Sequence, residues 1–365
     1  MKVLVSVFNN LFTDQRVEKV CKTLSENGFQ PELIGNNWGG LPEMKRDYPF
    51  SRIKLKSKIL KFAYVEFQRK LYQELLQKAD KNTILLSNDL DTLLPNYLIS
   101  KKLNIPLVFD SHEIFTEMPS VNGRFTQKIW RSLETFVVPK LRFMMTASES
   151  YADWFAKTYE IERPIVMQNF PRKTANPQDY SQNNFPKIIL YQGVINPSRG
   201  LDKMIPAMKS IENAELWIAG DGPKKAEYLA LTQDLKLENK VKFIGKLLPE
   251  KLREITRKAD VGLSIEENNG LSYYFSMPNK VSDYIQARIP VVVSDFPEMR
   301  KVVDHFQAGE KIRNYDELAE KVKIVLENGK SFYENPLNKA ADELCWEKEV
   351  PKIVNLFKKV VKENF

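Results

Sequence analysis

Short runs rich in Val, Ile and Leu recur along this chain, each followed by a stretch with helical spacing, and the whole series runs through twice. Strand candidates in the first series are 2–8, 30–35, 84–87, 106–110, 142–147 and 165–169, with helical patterns between most of them. Residues 14–27 show the pattern well: Val17, Val20, Cys21 and Leu24 fall at i, i+3, i+4 and i+7, and Gly28 stands where a left-handed helix end belongs. A polar, turn-rich stretch at 171–186 then interrupts the series. Strand candidates resume at 187–192, 215–219, 242–244, 261–264 and 290–293, and three helical patterns close the chain at 315–327, 331–343 and 346–361. Strand–helix alternation at this spacing predicts doubly wound parallel sheets.

At 365 residues the chain exceeds what one hydrophobic core serves. The expected organisation is an α/β protein of two domains, 1–170 and 187–345, joined by a linker at 171–186. The last helix, about 346–365, is expected to pack back on the first domain. Facing sheets of this kind would put the ligand crevice between the domains, at the carboxyl ends of the strands.

No apolar run is long enough to span a bilayer, and the opening run, which lacks a small-residue cleavage site, leads straight into Asn9-Asn10. The expected location is therefore the cytoplasm. Two cysteines, Cys21 and Cys345, read as reduced and structural, and two histidines without a Cys/His cluster exclude a zinc site. The net charge of +8 favours an anionic partner. Nucleic acid ranks behind phosphate-bearing substrates and membranes, because the basic residues are dispersed and no finger or RNP signature occurs. The basic, aromatic-laced stretch 54–64, with Lys54, Lys56, Lys58 and Lys61 beside Phe62 and Tyr64, is the candidate for contact with an anionic membrane surface.

Three segments carry the chemistry. In 191–201 a strand ends at Gly193 and a helix begins near Gly200, so the backbone can approach a phosphate while Arg199 forks two oxygens. The turn Gly220-Asp221-Gly222-Pro223 suits close approach to a base or ribose. In 266–284, Lys280 sits in the first turn of a helix beginning near Asn279, where the helix dipole opposes a cation unless an anion lies nearby. That conflict points to a diphosphate. Asp283, one turn on, can accept from ribose hydroxyls. The Asn88-Asp89-Leu90-Asp91 stretch reads as a turn and helix cap.

Together these segments resemble the retaining glycosyltransferase family 4, the group 1 transferases of GT-B fold with two Rossmann-like domains facing across a cleft. Residues 193–201 are similar to its G-R-L-x-x-x-K-G-L loop, 220–223 to its G-D-G-P turn, 241–245 to its V-x-F-x-G strand. Residues 278–294 resemble the P-N-K-x-x-E-Y pattern of one branch, as do 12–17 and 109–113 in the first half. Val194 stands where a basic residue usually follows the loop glycine, and Arg199 where Lys is usual. Of a glutamate pair separated by seven residues, one position holds Asp283 and the other Phe275, with Glu266 and Glu267 as substitutes.

The resemblance implies retaining transfer from a nucleotide-diphosphate sugar to a glycan or lipid-linked acceptor in cell-surface polysaccharide biosynthesis. It implies front-face attack in which the leaving phosphate takes the acceptor's proton, with neither metal nor cofactor, and peripheral attachment to the inner membrane face. Donor-side residues would be Gly193, Arg199, Gly220, Gly222, Glu266, Glu267, Asn279, Lys280 and Asp283. His112, flanked by Asp110 and Glu113, would serve the reacting centre, and Asn9, Asn10, Asp14 and Arg16 the acceptor side. Two other readings stay open: a sugar-nucleotide isomerase or epimerase on the same fold, and a non-catalytic sugar-nucleotide-binding relative.

Overall fold

Strands flanked by helices on both faces must be apolar throughout, and the run Ile84-Leu85-Leu86 is such a strand, with every residue of its element buried. The computed structural model describes residues 1–178 and 184–365, so part of the expected linker, 179–183, lies outside the described residues. The chain divides into two units, residues 1–168 with 349–365, and residues 169–348.

The first unit holds a seven-stranded sheet: β1 (Lys2–Ser6), β2 (Gln30–Asn36), β3 (Phe50–Ile53), β4 (Thr83–Asn88), β5 (Leu107–Ser111), β6 (Phe143–Thr146) and β7 (Ile165–Val166). Their order is β3-β2-β1-β4-β5-β6-β7, and all pairings are parallel. The order reverses between β1 and β4, the switch point at which such sheets take ligands. The helix Gln15–Glu26 follows β1. Asp14 caps it by accepting from the Val17 amide at 3.0 Å, its Val17, Val20, Cys21 and Leu24 face is buried, and Gly28 leaves it at φ +83°. Cys21 and Cys345 are both free and buried.

The second unit holds β8 (Lys187–Gln192), β9 (Ala214–Ala219), β10 (Val241–Phe243), β11 (Val261–Ser264), β12 (Val291–Ser294) and β13 (Gly309–Ile312). Their order, β10-β9-β8-β11-β12-β13, is again parallel throughout and reverses between β8 and β11. The fully buried Tyr284 ties the switch point together: its hydroxyl accepts from the Gln192 amide and donates to the Leu190 carbonyl, both at 3.1 Å. Gly262 in β11 makes this possible, since a Cβ there would lie 2.4 Å from the Tyr284 ring.

The fold expected from the sequence is the fold found. Strand boundaries move by one to three residues, and two strands, β3 and β13, were not anticipated. The closing helices are Leu318–Phe332, interrupted at Gly329, then Glu334–Glu343 and Trp346–Asn364. Residues from Glu349 onward group with the first unit, where Phe357 meets Phe29 edge to face at 5.6 Å. No helix among the described residues is long and apolar enough to cross a membrane.

Candidate functional sites at the strand ends of each unit

In the first unit, β4 and β5 end side by side, with Asn88 opposite Asp110 in the ladder. His112 leaves β5 between these ends, and carboxylates hold both of its ring nitrogens. Nδ1 lies 3.2 Å from Asp89, and Nε2 lies 3.3 Å from Asp110 and 3.1 Å from Asn88 Oδ1. The His112 amide also donates to Asp89 at 2.8 Å. Burial alone would push the imidazole down, but Asp89 and Asp110 outweigh it and raise the pKa to about 9. At neutral pH His112 is therefore an imidazolium that donates from both nitrogens.

Asp89 does not cap the following helix, Leu90–Leu103, although it occupies the cap position; its side chain makes no cap hydrogen bond. The carboxylate goes to His112 instead, and the backbone is at φ 58°, ψ 168°, a region almost reserved for glycine that costs about 1–3 kcal/mol. Asp91 is buried one turn behind, with Oδ1 unpartnered, and burial with the nearby Asp89 charge pushes its carboxyl well up.

Arg16 is not available to an acceptor. Its guanidinium is buried and clamps Asp110 through two bonds, at 3.0 and 2.7 Å, with a third to the Met167 carbonyl at 2.6 Å. Asp14 is likewise engaged, capping its helix and accepting from Asn9 at 2.7 Å. Asn9 and Asn10 turn their side-chain oxygens back to the amides of Leu11 and Phe12. Glu113 is half-buried, with its carbonyl accepting from the Ser111 hydroxyl.

Asp110 is fully buried. Burial would raise its pKa, but Arg16 and His112 outweigh that and hold it at about 2. Its folded value lies below the ordinary carboxylate value of about 3.9, so its contribution is present above that pH and is lost as pH falls through about 2. Asp110→Asn leaves the Arg16 guanidinium buried without its charge partner and should cost about 3–5 kcal/mol. Urea denaturation at neutral pH measures this, and a loss under about 1 kcal/mol would show that the pair adds nothing.

In the second unit, Arg199, Glu266 and Lys280 converge near Gly193. Glu266 follows β11 and is 1% exposed; Arg199 Nη1 donates to one of its oxygens at 2.8 Å and Lys280 Nζ to the other at 2.6 Å. This answers the dipole conflict at Lys280 differently from the sequence expectation: the anion beside the cation is a protein carboxylate. Glu266 is accordingly spent on the two cations. Burial would raise its pKa, but Lys280 and Arg199 outweigh it and hold it below the ordinary range. Burial pushes Lys280 down, and the attraction of Glu266 only partly offsets burial and the Arg199 charge. Two cations on one carboxylate leave a surplus positive charge. Aromatic faces complete the setting, with Lys280 4.6 Å from the Tyr191 ring centre and Arg199 4.7 Å from that of Tyr273.

Gly193 leaves β8 at φ +139°, and a Cβ there would be in van der Waals contact with the Tyr191 hydroxyl at 3.6 Å and Lys280 Cε at 3.7 Å. Gly220 has a different cause from the one expected. A Cβ there would sit 1.8 Å from the Gly193 carbonyl oxygen, and one at Gly222 2.4 Å from that of Ile195. These two glycines let protein backbones approach each other. Asp283 accepts from Gln192 Nε2 at 3.1 Å, and Asn279 from Asn169 at 3.1 Å. Glu267 is half-buried, its amide bonded to the Ser198 carbonyl. The sequence reading gave no site role to Tyr191 or Tyr273, and took Asn88 and Asp89 for a turn and helix cap. Only Asp89 left a signal, as an acidic residue at a strand's carboxyl end.

Residues 172–342, nearly all of the second unit, match the family model for glycosyl transferases group 1. Among curated relatives, the chain is 33% identical over 100 residues to the lipopolysaccharide core biosynthesis glycosyltransferase LpsD of Rhizobium meliloti, covering 26% of this chain and 29% of that protein. Matches to the first curated relatives span less than half of those proteins' lengths. Among solved structures, sucrose-phosphate synthase from Thermosynechococcus elongatus superposes with a TM-score of 0.79 at 13% identity over 100% of both chains. Anabaena HepE, solved in complex with UDP, gives 0.73 at 16% identity over 98% of this chain and 100% of its own. At these identities the likeness establishes the GT-B fold. Residues 172–342 are thus similar to the glycosyl transferases group 1.

Proposed function

We propose that the protein transfers a sugar from a nucleoside-diphosphate sugar to a glycan or lipid-linked acceptor, with retention at the transferred carbon and without a metal ion or cofactor, in cell-surface polysaccharide assembly. The observation that carries the reading is the surplus positive charge at Arg199, Glu266 and Lys280 beside the Gly193 turn. A diphosphate supplies the charge that this constellation lacks, and it is the group on which negative charge develops as the sugar leaves. Asp283 would take the ribose. In the transfer, the bond from the sugar carbon to the β-phosphate oxygen breaks and the acceptor oxygen bonds that carbon. The acceptor's proton passes to the departing phosphate oxygen. His112, charged and held by Asp89 and Asp110, would favour the negative charge of the leaving group through its positive charge.

HepE's complex with UDP makes UDP-sugars the first donors to try, and the role of LpsD in lipopolysaccharide core synthesis supports a glycan or lipid-linked acceptor. With such an acceptor the enzyme would work in the cytoplasm, attached peripherally to the anionic inner face of a membrane.

Incubation with UDP-, GDP- and dTDP-sugars, with and without EDTA, tests the proposal. Release of free nucleoside diphosphate at a rate unaffected by EDTA is expected. An altered sugar still joined to its nucleotide would instead establish an isomerase, and binding without turnover a non-catalytic relative.

A further inference from the structure

The helix Phe125–Val137 presents the wrong face to solvent for a cytosolic surface helix. Phe125, Ile129 and Phe136, at i, i+4 and i+11, are 76%, 57% and 56% exposed. A surface helix ordinarily buries such a stripe. This one buries other positions: Val137 is enclosed, and Trp130 packs edge-on against Phe115 at 5.1 Å. Glu134, its one acidic residue, is also enclosed, accepting from Thr116 at 3.0 Å and Tyr159 at 2.6 Å. Burial pushes that carboxyl up. The exposed side carries no carboxylate of the helix: Arg124, Lys128 and Arg131 accompany the stripe together with the neutral Thr126, Ser132 and Thr135, with Arg131 paired to Glu117. Lys140 lies over the Phe136 ring.

A second element of the same kind adjoins it. Tyr64, in the first turns of the helix Leu60–Lys78, meets Trp130 edge to face at 5.5 Å. Phe62 and Val65 beside it are 54% and 70% exposed, and the exposed lysines of the 54–61 segment lead into them.

We propose that the exposed face of the helix Phe125–Val137, with the adjoining turn at Phe62–Val65, docks on an anionic lipid surface. The charge pattern selects this occupant. An apolar stripe bordered by cations and neutral hydroxyls, with no exposed carboxylate on its helix, suits a helix lying in the headgroup layer, where the rings enter the acyl boundary and the cations meet lipid phosphates. A second copy of the chain would bring like charges together. The proposal names the surface for the membrane attachment proposed above and does not depend on sugar transfer.

Sedimentation of the full chain with vesicles tests it. Binding is expected to vesicles of phosphatidylglycerol and phosphatidylcholine in equal parts, weakening as salt rises, and not to phosphatidylcholine alone. The triple variant Phe125→Ser/Ile129→Ser/Phe136→Ser should bind about tenfold more weakly or not at all. Its melting temperature and nucleotide binding without vesicles should match the unmodified protein, which separates lost docking from lost folding. Equal binding to both vesicle types, no binding to either, or an unaffected triple variant overturns the proposal. So does light scattering that finds a dimer which the triple substitution dissociates. Failure of all nucleotide-sugars to react would sink the transferase reading and leave the vesicle result standing.

Discussion

Lys280→Ala and Arg199→Ala should each weaken nucleoside-diphosphate binding by about 10- to 100-fold, the loss of one charge-assisted contact to a phosphate. Isothermal titration with UDP reads this directly. Each cation is also bonded to Glu266, so the opposite change separates a binding role from an internal one. Glu266→Gln removes the competitor for both cations while leaving them buried with a weaker acceptor. Nucleotide binding should then hold or tighten, while the melting temperature falls and recovers when nucleotide is added. If all three variants bind nucleotide like the unmodified protein, the constellation is a structural ion network and the donor site lies elsewhere.

The double series of buried strands was legible because strands covered on both faces cannot be written in any other residues. β4, β5, β11 and β12 are enclosed at every position and read as apolar runs. The two unanticipated strands are sheet edges. Phe50-Ser51-Arg52-Ile53 and Gly309-Glu310-Lys311-Ile312 each bury only one or two residues, and polar residues at edges are what keep them from pairing with other chains. Arg199 could be picked out as a cation in the turn after a strand, and Lys280 as a cation in a helix's first turn, where the dipole opposes it. Glu266 as their shared partner could not, since it lies 67 and 14 residues away in sequence and only the sheet brings them together. Gly220 was found for the wrong reason, because the Gly193 carbonyl that excludes a side chain there belongs to a neighbouring strand. Asp89 was misread because the sequence marks a helix start but not a backbone at positive φ that turns the carboxylate toward His112.

That clamp makes His112 the position of the second large effect. His112→Ala should lower turnover by about 10²- to 10³-fold, the scale for losing one preorganised electrostatic group at a reacting centre, while the Kd for UDP stays within about twofold. Two nearby carboxylates raise the imidazole to about 9, so it is charged at neutral pH and turnover should decline as pH rises through about 9. Stability follows the same sign. The folded value lies above the free imidazole value of about 6.5, so the stabilisation is whole below that pH and is lost as pH rises through about 9. The chain contains two histidines, so His305→Gln leaves His112 as the sole imidazole in a proton NMR titration. Asp89→Asn keeps a polar group of the same shape but removes the nearer charge. It should move the His112 midpoint and the alkaline limb of the rate profile down together, with little change in UDP affinity. A His112 midpoint near 6.5 in the unmodified protein would remove the charged-imidazole mechanism. Turnover unchanged by His112→Ala would remove the residue from the reaction altogether.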